Sequence, residues 1–276
     1  MNAFHKLPKE VAMMRSLFRS MLVAVVSFAS MQAQSIWTQR SEDPQIRLEV
    51  LRPSLKVSPG VDFSATLVTL DGRVPITKGV AVQIEVPYTS EKISNPYFSD
   101  SKNQLGNPYL GFEIGSEGFP VYAELGLRPM VVKSPDSYVS FGGVFGDFER
   151  AEAYLEDLTT FQFALNVASP ERQGFVYRVK AGPTIWSPKG GGDATTLIDY
   201  GAKAGYDNGA ISAYAGFTGR WNTEVKGEKA TYHFLGFDVG YRLGAFRPAL
   251  LVHLPLDKEI TDMTSQTIGG SLSVEF

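Results

Sequence analysis

A chain of 276 residues, 43% of them hydrophobic, has material for one large domain or two small ones. With no cysteine it has no disulfide framework, no thiolate metal site and no cysteine nucleophile. Acidic residues outnumber basic ones by 29 to 26 and no long basic run occurs, which argues against a nucleic-acid footprint.

Charge is unevenly placed along the chain. Residues 1–33 carry Lys6, Lys9, Arg15 and Arg19 against Glu10 alone, followed by the apolar run from Met21 to Ala29 and by the small residues Ser30, Ala33 and Ser35. That order predicts a cleaved signal peptide ending near Ala33. Residues 34–276 then form a single domain with 22 basic and 28 acidic residues (26 − 4 and 29 − 1). The apolar run is too short for a membrane helix, which needs about 20 apolar residues, and charges or glycines interrupt every later stretch. Any membrane role after cleavage falls to strands.

From Ile36 onward, apolar residues recur at alternate positions over segments of about ten residues, as in strands with two unlike faces. Phe175, Tyr177, Val179, Ala181, Pro183 and Ile185, for example, interleave with Val176, Arg178, Lys180, Gly182 and Thr184. The count gives twelve strands, near 45–53, 60–70, 79–88, 106–114, 119–131, 159–168, 174–185, 194–206, 210–221, 230–242, 246–256 and 266–276. Tight connections at 207–209 and 243–245 alternate with longer ones at 187–193, 222–229 and 257–265, which describes an up-and-down antiparallel meander.

The longest connection, 132–158, is expected as an external loop with a short helix: behind Asp147, Phe148, Ala151, Leu155 and Leu158 fall at helical spacing. Its acids Asp136, Asp147, Glu149, Glu152, Glu156 and Asp157 face only Lys133 and Arg150. Other readings are an inward-folded constriction, a divalent-cation site against lipopolysaccharide, or a further hairpin through Val139, Phe141 and Phe145 that raises the count to fourteen.

A soluble sandwich also alternates, but it does not explain aromatics at both ends of the apolar faces. Phe119, Phe175, Tyr177, Tyr206, Tyr241, Phe246 and Phe276 cluster at the tight-turn end, and Tyr88, Phe161, Trp221 and Tyr232 at the long-loop end. Two aromatic belts around an aliphatic band fit a bilayer, so the fold class is an all-β transmembrane barrel. The final Ser271–Phe276, with apolar residues at alternate positions before the terminal Phe276, resembles the C-terminal strand that the barrel assembly machinery recognises in Gram-negative outer-membrane proteins. Val86-Pro-Tyr88, followed by Leu105-Gly-Asn-Pro-Tyr-Leu-Gly111, resembles a motif pair in the phenol meta-cleavage pathway outer-membrane protein family. The resemblance implies an outer-membrane channel with hydrophobic or aromatic compounds among its solutes, and it supplies no site residues.

The polar faces assign Arg47, Arg128, Arg178, Lys180, Lys203, Arg220, Arg242 and Arg247 to the lumen, with Glu49, Glu85, Glu113, Glu124, Asp199, Asp238 and Glu275. Eight cations against seven anions suit mutual pairing across strands better than selection of one ion sign. Gly111, Gly126, Gly182, Gly201, Gly205, Gly216, Gly236 and Gly240 fall on the same faces, where they either leave a narrow passage or permit sheet coiling. No hydrolase elbow, zinc-protease helix or phosphate loop occurs, and no cofactor is expected. His233, with Thr231 or Thr218 near it, is the one candidate for lipid chemistry. The expected function is a passive, porin-like channel among outer-membrane lipids and lipopolysaccharide. The alternatives are a lipid-acting barrel enzyme and a closed structural or adhesive barrel.

Overall fold

A computed structural model describes residues 35–37, 43–116, 119–132, 137–171, 173–225 and 230–276. The expected signal peptide at 1–33, Lys133, Asp136 and the side chain of Val139 lie outside the described residues. Thirteen strands run in chain order: β1 (Gln45–Leu55), β2 (Asp62–Thr77), β3 (Val80–Asn95), β4 (Phe98–Leu105), β5 (Tyr109–Gly115), β6 (Val121–Arg128), β7 (Leu158–Ala168), β8 (Gly174–Pro188), β9 (Thr195–Asp207), β10 (Ile211–Asn222), β11 (Thr231–Tyr241), β12 (Phe246–Pro255) and β13 (Thr264–Glu275). The helical elements are α1 (Ser137–Gly146), a 3-10 helix (Phe148–Ala153) and α2 (Lys258–Thr261).

Twelve of these strands close into one antiparallel ring, because β1 pairs with both β2 and β13 while β2 also pairs with β3. Closure leaves no open edge, the condition on which strands can cross lipid. The twelve expected strands are the twelve ring strands. β4 stands outside the ring: β3 pairs with β5 over Val80–Glu85 and with β4 over Tyr88–Asn95, so β4 continues the line of β5 beyond a break at residues 106–108. Its sequence, Phe-Ser-Asp-Ser-Lys-Asn-Gln-Leu, lacks an apolar face, so alternation gives no sign of it.

Outside, the ring presents Ile84, Leu110, Phe163, Val179, Val239, Leu250 and Leu272, all well exposed. Water does not sustain so continuous an apolar band, whereas lipid does. Phe175, Tyr206, Tyr241, Phe246 and Phe276 ring the short-turn end, with Tyr88, Phe161 and Trp221 at the other. Tyr232 corrects the expected belt, since it is buried inside and packs on Phe148 at 5.7 Å. Arginine at Val179 or Leu250, 46% and 57% exposed, should therefore cost about 2 to 4 kcal/mol in vesicle refolding titrations, against far less at inward Ala249. Gly182, by parity a second lenient site, is not one, because a Cβ there would overlap the backbone of Phe163 and Ala164.

The segment 137–155 corrects a second expectation: it folds into the barrel instead of lying outside it. Val144, Ala151 and Tyr154 are 0% exposed, and the whole 3-10 helix is buried. The reason lies in Ser-Tyr-Val-Ser-Phe-Gly-Gly-Val-Phe-Gly, the sequence of α1, which has no charged face to turn to water. A helix apolar all round needs surroundings apolar all round. Inside, Phe141, Phe145 and Phe148 meet Leu51, Leu67, Trp186, Leu197 and Leu251 from the wall. No fourteenth-strand hairpin forms, because Phe141 and Phe145 sit on a helix.

Candidate functional site

The lumen has two zones. Toward the long-loop end the wall contributes Leu51, Leu67, Trp186, Leu197, Tyr232 and Leu251, packed on the plug formed by α1 and the 3-10 helix. Toward the short-turn end it contributes a charged layer. Arg47, Glu49, Glu85, Glu113, Glu124, Arg178, Lys180, Lys203 and Asp238 are buried there, and Arg128, Asp199 and Arg220, equally buried, carry charge into the long-loop half beside the plug. Arg247 is mostly buried, whereas Arg242 and Glu275 pair at 3.1 Å on the rim with the Arg242 side chain 40% exposed.

Pairing in the layer is extensive. Arg178 and Lys180 share Glu124 at 2.7 and 2.6 Å, Arg220 meets Asp199 at 2.6 Å, and Arg47 binds Glu49. Lys203 lies over the Tyr214 ring at 5.2 Å, within electrostatic reach of Asp238. The sequence reading missed several members. Asp71 and Arg73 extend β2 past its expected end at 70, and Arg73 pairs with Glu113 at 2.6 Å. Asp207, one residue past the expected end of β9, takes Arg247 at 2.6 Å. Continued alternation of polar with apolar residues beyond those ends was the signal that could have found them. A layer so balanced sets up no ring of one sign.

Plug and wall are joined through charge as well as apolar contact. Arg150 of the 3-10 helix pairs with Glu49 of β1 and with Asp147 at 2.5 Å. Asp147, expected as a helix cap, makes no side-chain capping bond and serves Arg150 instead. Arg128 of β6 pairs with Glu85 of β3 and lies 3.4 Å from Glu152 of the plug. Asn107, at the break between β4 and β5, is the hub: its Nδ2 donates to the carbonyls of Glu152 and Leu155 at 3.0 and 2.7 Å, and its Oδ1 accepts from the N–H groups of Val131 and Val132 at 2.8 and 2.9 Å. The two motif segments meet here, with the Gly106 N–H donating to the Pro87 carbonyl at 2.9 Å. Tyr109 folds its ring over Gly111 and Gly126, register partners on β5 and β6, where any Cβ would overlap it. Inward glycines thus admit rings and leave no passage at these positions; three cavities that the described residues line in the lumen are of about 10 Å³, room for a water molecule each.

Glu152 makes the plug sensitive to pH. Burial pushes its carboxyl up from 4.5 to about 8, against the pull of Arg128 and Arg220 and with a further push from Asp199. A docked value above the free value means that docking takes up a proton. The stabilisation is complete below about pH 4.5 and is lost as the pH rises through 8. Wild-type barrel should unfold at lower urea concentration at pH 9 than at pH 5, and Glu152→Gln should shrink that difference.

His233 has neither threonine partner expected of it. Thr218 faces the lumen and is buried, on the opposite side of the wall. His233 Nε2 instead meets the Tyr200 hydroxyl at 2.8 Å, and Nδ1 lies 3.2 Å from Asp257. Among the described residues no group of three or more His, Asp or Glu side chains is placed to hold a metal ion. Phe276 ends the chain 71% exposed at the short-turn rim, its N–H donating to the Pro44 carbonyl at 3.0 Å.

No protein-family model and no curated protein matches the sequence. Solved structures do match the fold. An outer membrane channel from Pseudomonas putida F1 superposes with a TM-score of 0.59 at 10% identity, covering 88% of this chain and 99% of that one. The translocator domain of the autotransporter NalP from Neisseria meningitidis gives 0.53 at 8% identity over 97% and 98%. The porin NanC gives 0.51 at 8% identity over 83% and 100%. At such identities the likeness is one of fold, that of outer-membrane barrels.

Proposed function

We propose that the protein is exported to the bacterial outer membrane and serves there as a plugged channel for small solutes, apolar and aromatic ones among them. One observation carries this reading: a segment that is no part of the wall fills a twelve-stranded ring, a size between the side-chain-filled eight-stranded barrel and the open sixteen-stranded porin. A purely structural barrel has no use for a separate plug. The apolar half of the lumen, lined by Leu51, Leu67, Trp186 and Leu251, favours apolar solutes once the plug shifts, and the balanced charged layer beneath admits them without a strong ion preference. The outward aliphatic band, the two aromatic rims and the terminal Phe276, read as the assembly signal, support placement among outer-membrane lipids and lipopolysaccharide. Planar-bilayer recording of the refolded protein tests the reading. Small, weakly selective steps are expected from wild type, and silence from both wild type and a plugless variant would overturn the reading.

A further inference from the structure

Ser35, Ile36 and Trp37 lie inside the barrel, Trp37 only 2% exposed, although no strand of the ring pairs with them. The indole of Trp37 lies across Gly216 and Gly236, register partners on β10 and β11. A Cβ on either glycine would overlap the ring, so two adjacent strands are stripped to backbone where the indole rests. His253 of β12 covers it, ring centroids 5.5 Å apart, and Phe148 and Phe234, stacked on each other at 4.9 Å, line the same cavity. At the indole edge Nε1 donates to Glu149 Oε1 at 2.8 Å. Two buried polar atoms there, Glu149 Oε2 and His253 Nε2, have no hydrogen-bond partner among the described residues.

A flat glycine floor, aromatic walls and a buried carboxylate at one edge make a recognition site for one chemical class. Its present occupant is a side chain on an arm, Ser35–Trp37, that belongs to no strand or helix. We propose that this slot binds small planar aromatic molecules bearing a ring N–H or a hydroxyl, and that Trp37 is its tethered resident, displaced when such a molecule arrives. The ligand's donor takes over the bond to Glu149, and the two unpartnered atoms beside it offer further acceptors. Since Phe148 and Glu149 belong to the 3-10 helix, occupancy of the slot bears directly on the plug. The proposal rests on the channel reading for the route by which ligand arrives, and on the slot alone for binding.

The test uses the refolded barrel labelled with 5-fluorotryptophan. The chain has 3 tryptophans, so fluorine NMR resolves Trp37, Trp186 and Trp221, assigned through Trp→Phe variants. Indole at millimolar concentration should move the Trp37 resonance saturably to a solvent-exposed position and leave the other two in place. 1-Methylindole, which lacks the N–H, should bind roughly tenfold more weakly, the worth of one hydrogen bond to a carboxylate. Trp37→Ala, freed of its tethered competitor, should bind labelled indole about tenfold more tightly in equilibrium dialysis. A Trp37 resonance unmoved up to the solubility limit of indole, or equal affinity for the two indoles, would overturn the proposal. So would binding by Trp37→Ala alone, which would make Trp37 a fixed packing residue. Bilayer recording of the same samples separates the failures: binding by a silent barrel sinks the channel reading and leaves the site, whereas a conducting barrel that ignores indole sinks the site alone.

Discussion

Replacing residues 138–156 with a short glycine-serine linker should raise single-channel conductance several-fold while leaving the barrel folded. The wall should survive because its closure rests on strand-to-strand hydrogen bonds, from β1·β13 round to β2·β3, in which the plug takes no part. Conductance should rise because the side chains that fill the lumen at its apolar end, among them Phe141, Phe145 and Phe148, go with the excised segment. A milder arm is Asn107→Ala, which removes four hydrogen bonds to the ends of the plug without touching its interior. It should give intermittent openings in a barrel of normal heat modifiability. If excision yields a folded barrel whose conductance equals that of wild type, the charged layer is itself the seal and the plug is no gate.

The second large effect is expected at Arg128→Met, which should destabilise the barrel by about 3 to 5 kcal/mol, the cost of breaking a buried ion pair from one side. Arg128 is 0% exposed, paired with Glu85, 3.4 Å from Glu152, and 5.2 Å from the centroid of the Tyr109 ring. Its NH1 also donates to the Asn107 carbonyl at 3.1 Å. Losing it strands the Glu85 carboxylate and the hub that holds the plug. Adding Glu85→Gln to Arg128→Met should recover most of the loss, since Glu152, raised to about 8, already holds its proton at neutral pH and no charge is then left unpaired. Urea titrations of vesicle-refolded protein measure both variants. A loss below about 1 kcal/mol for the single variant would mean that the carboxylate finds other partners.

How much of this was legible follows from how far each side chain obeys its own strand. Period-two alternation gives the wall directly, because lipid on one side and lumen on the other impose opposite chemistry on neighbours such as Val179 and Lys180. It fails where a strand leaves that environment, so β4 went unseen and β2 and β3 were cut short. The plug was misplaced for a related reason. Asp147, Glu149 and Glu152 read as part of a water-facing loop, and their burial is made tolerable by Arg150 beside them, by Trp37 from the arm and by Gln162 and Arg128 from the wall. Asn107 has no role that its motif reveals, because nothing local shows that a break between two collinear strands will receive Val131, Val132, Glu152 and Leu155. Trp37 lies between the expected signal cleavage site and the first expected strand at 45–53, where no strand parity marks a side chain as interior.

The pairing of β1 with β13 sets Gln45 opposite Glu275, so the first and last strands share one seam. Every other ring contact joins segments that are neighbours in the chain or lie a short way apart, and all of them can form before the seam does. Until then β1 and β13 both carry a row of unpaired N–H and C=O groups, which hydrocarbon does not tolerate. A polypeptide whose translation stops within β12 has no stable resting place in the bilayer, however complete its first eleven strands are. Quality control is thus written into the ring: a product that stops before β13 stays in water as a sticky, degradable chain instead of leaving a leaky half-pore in the membrane.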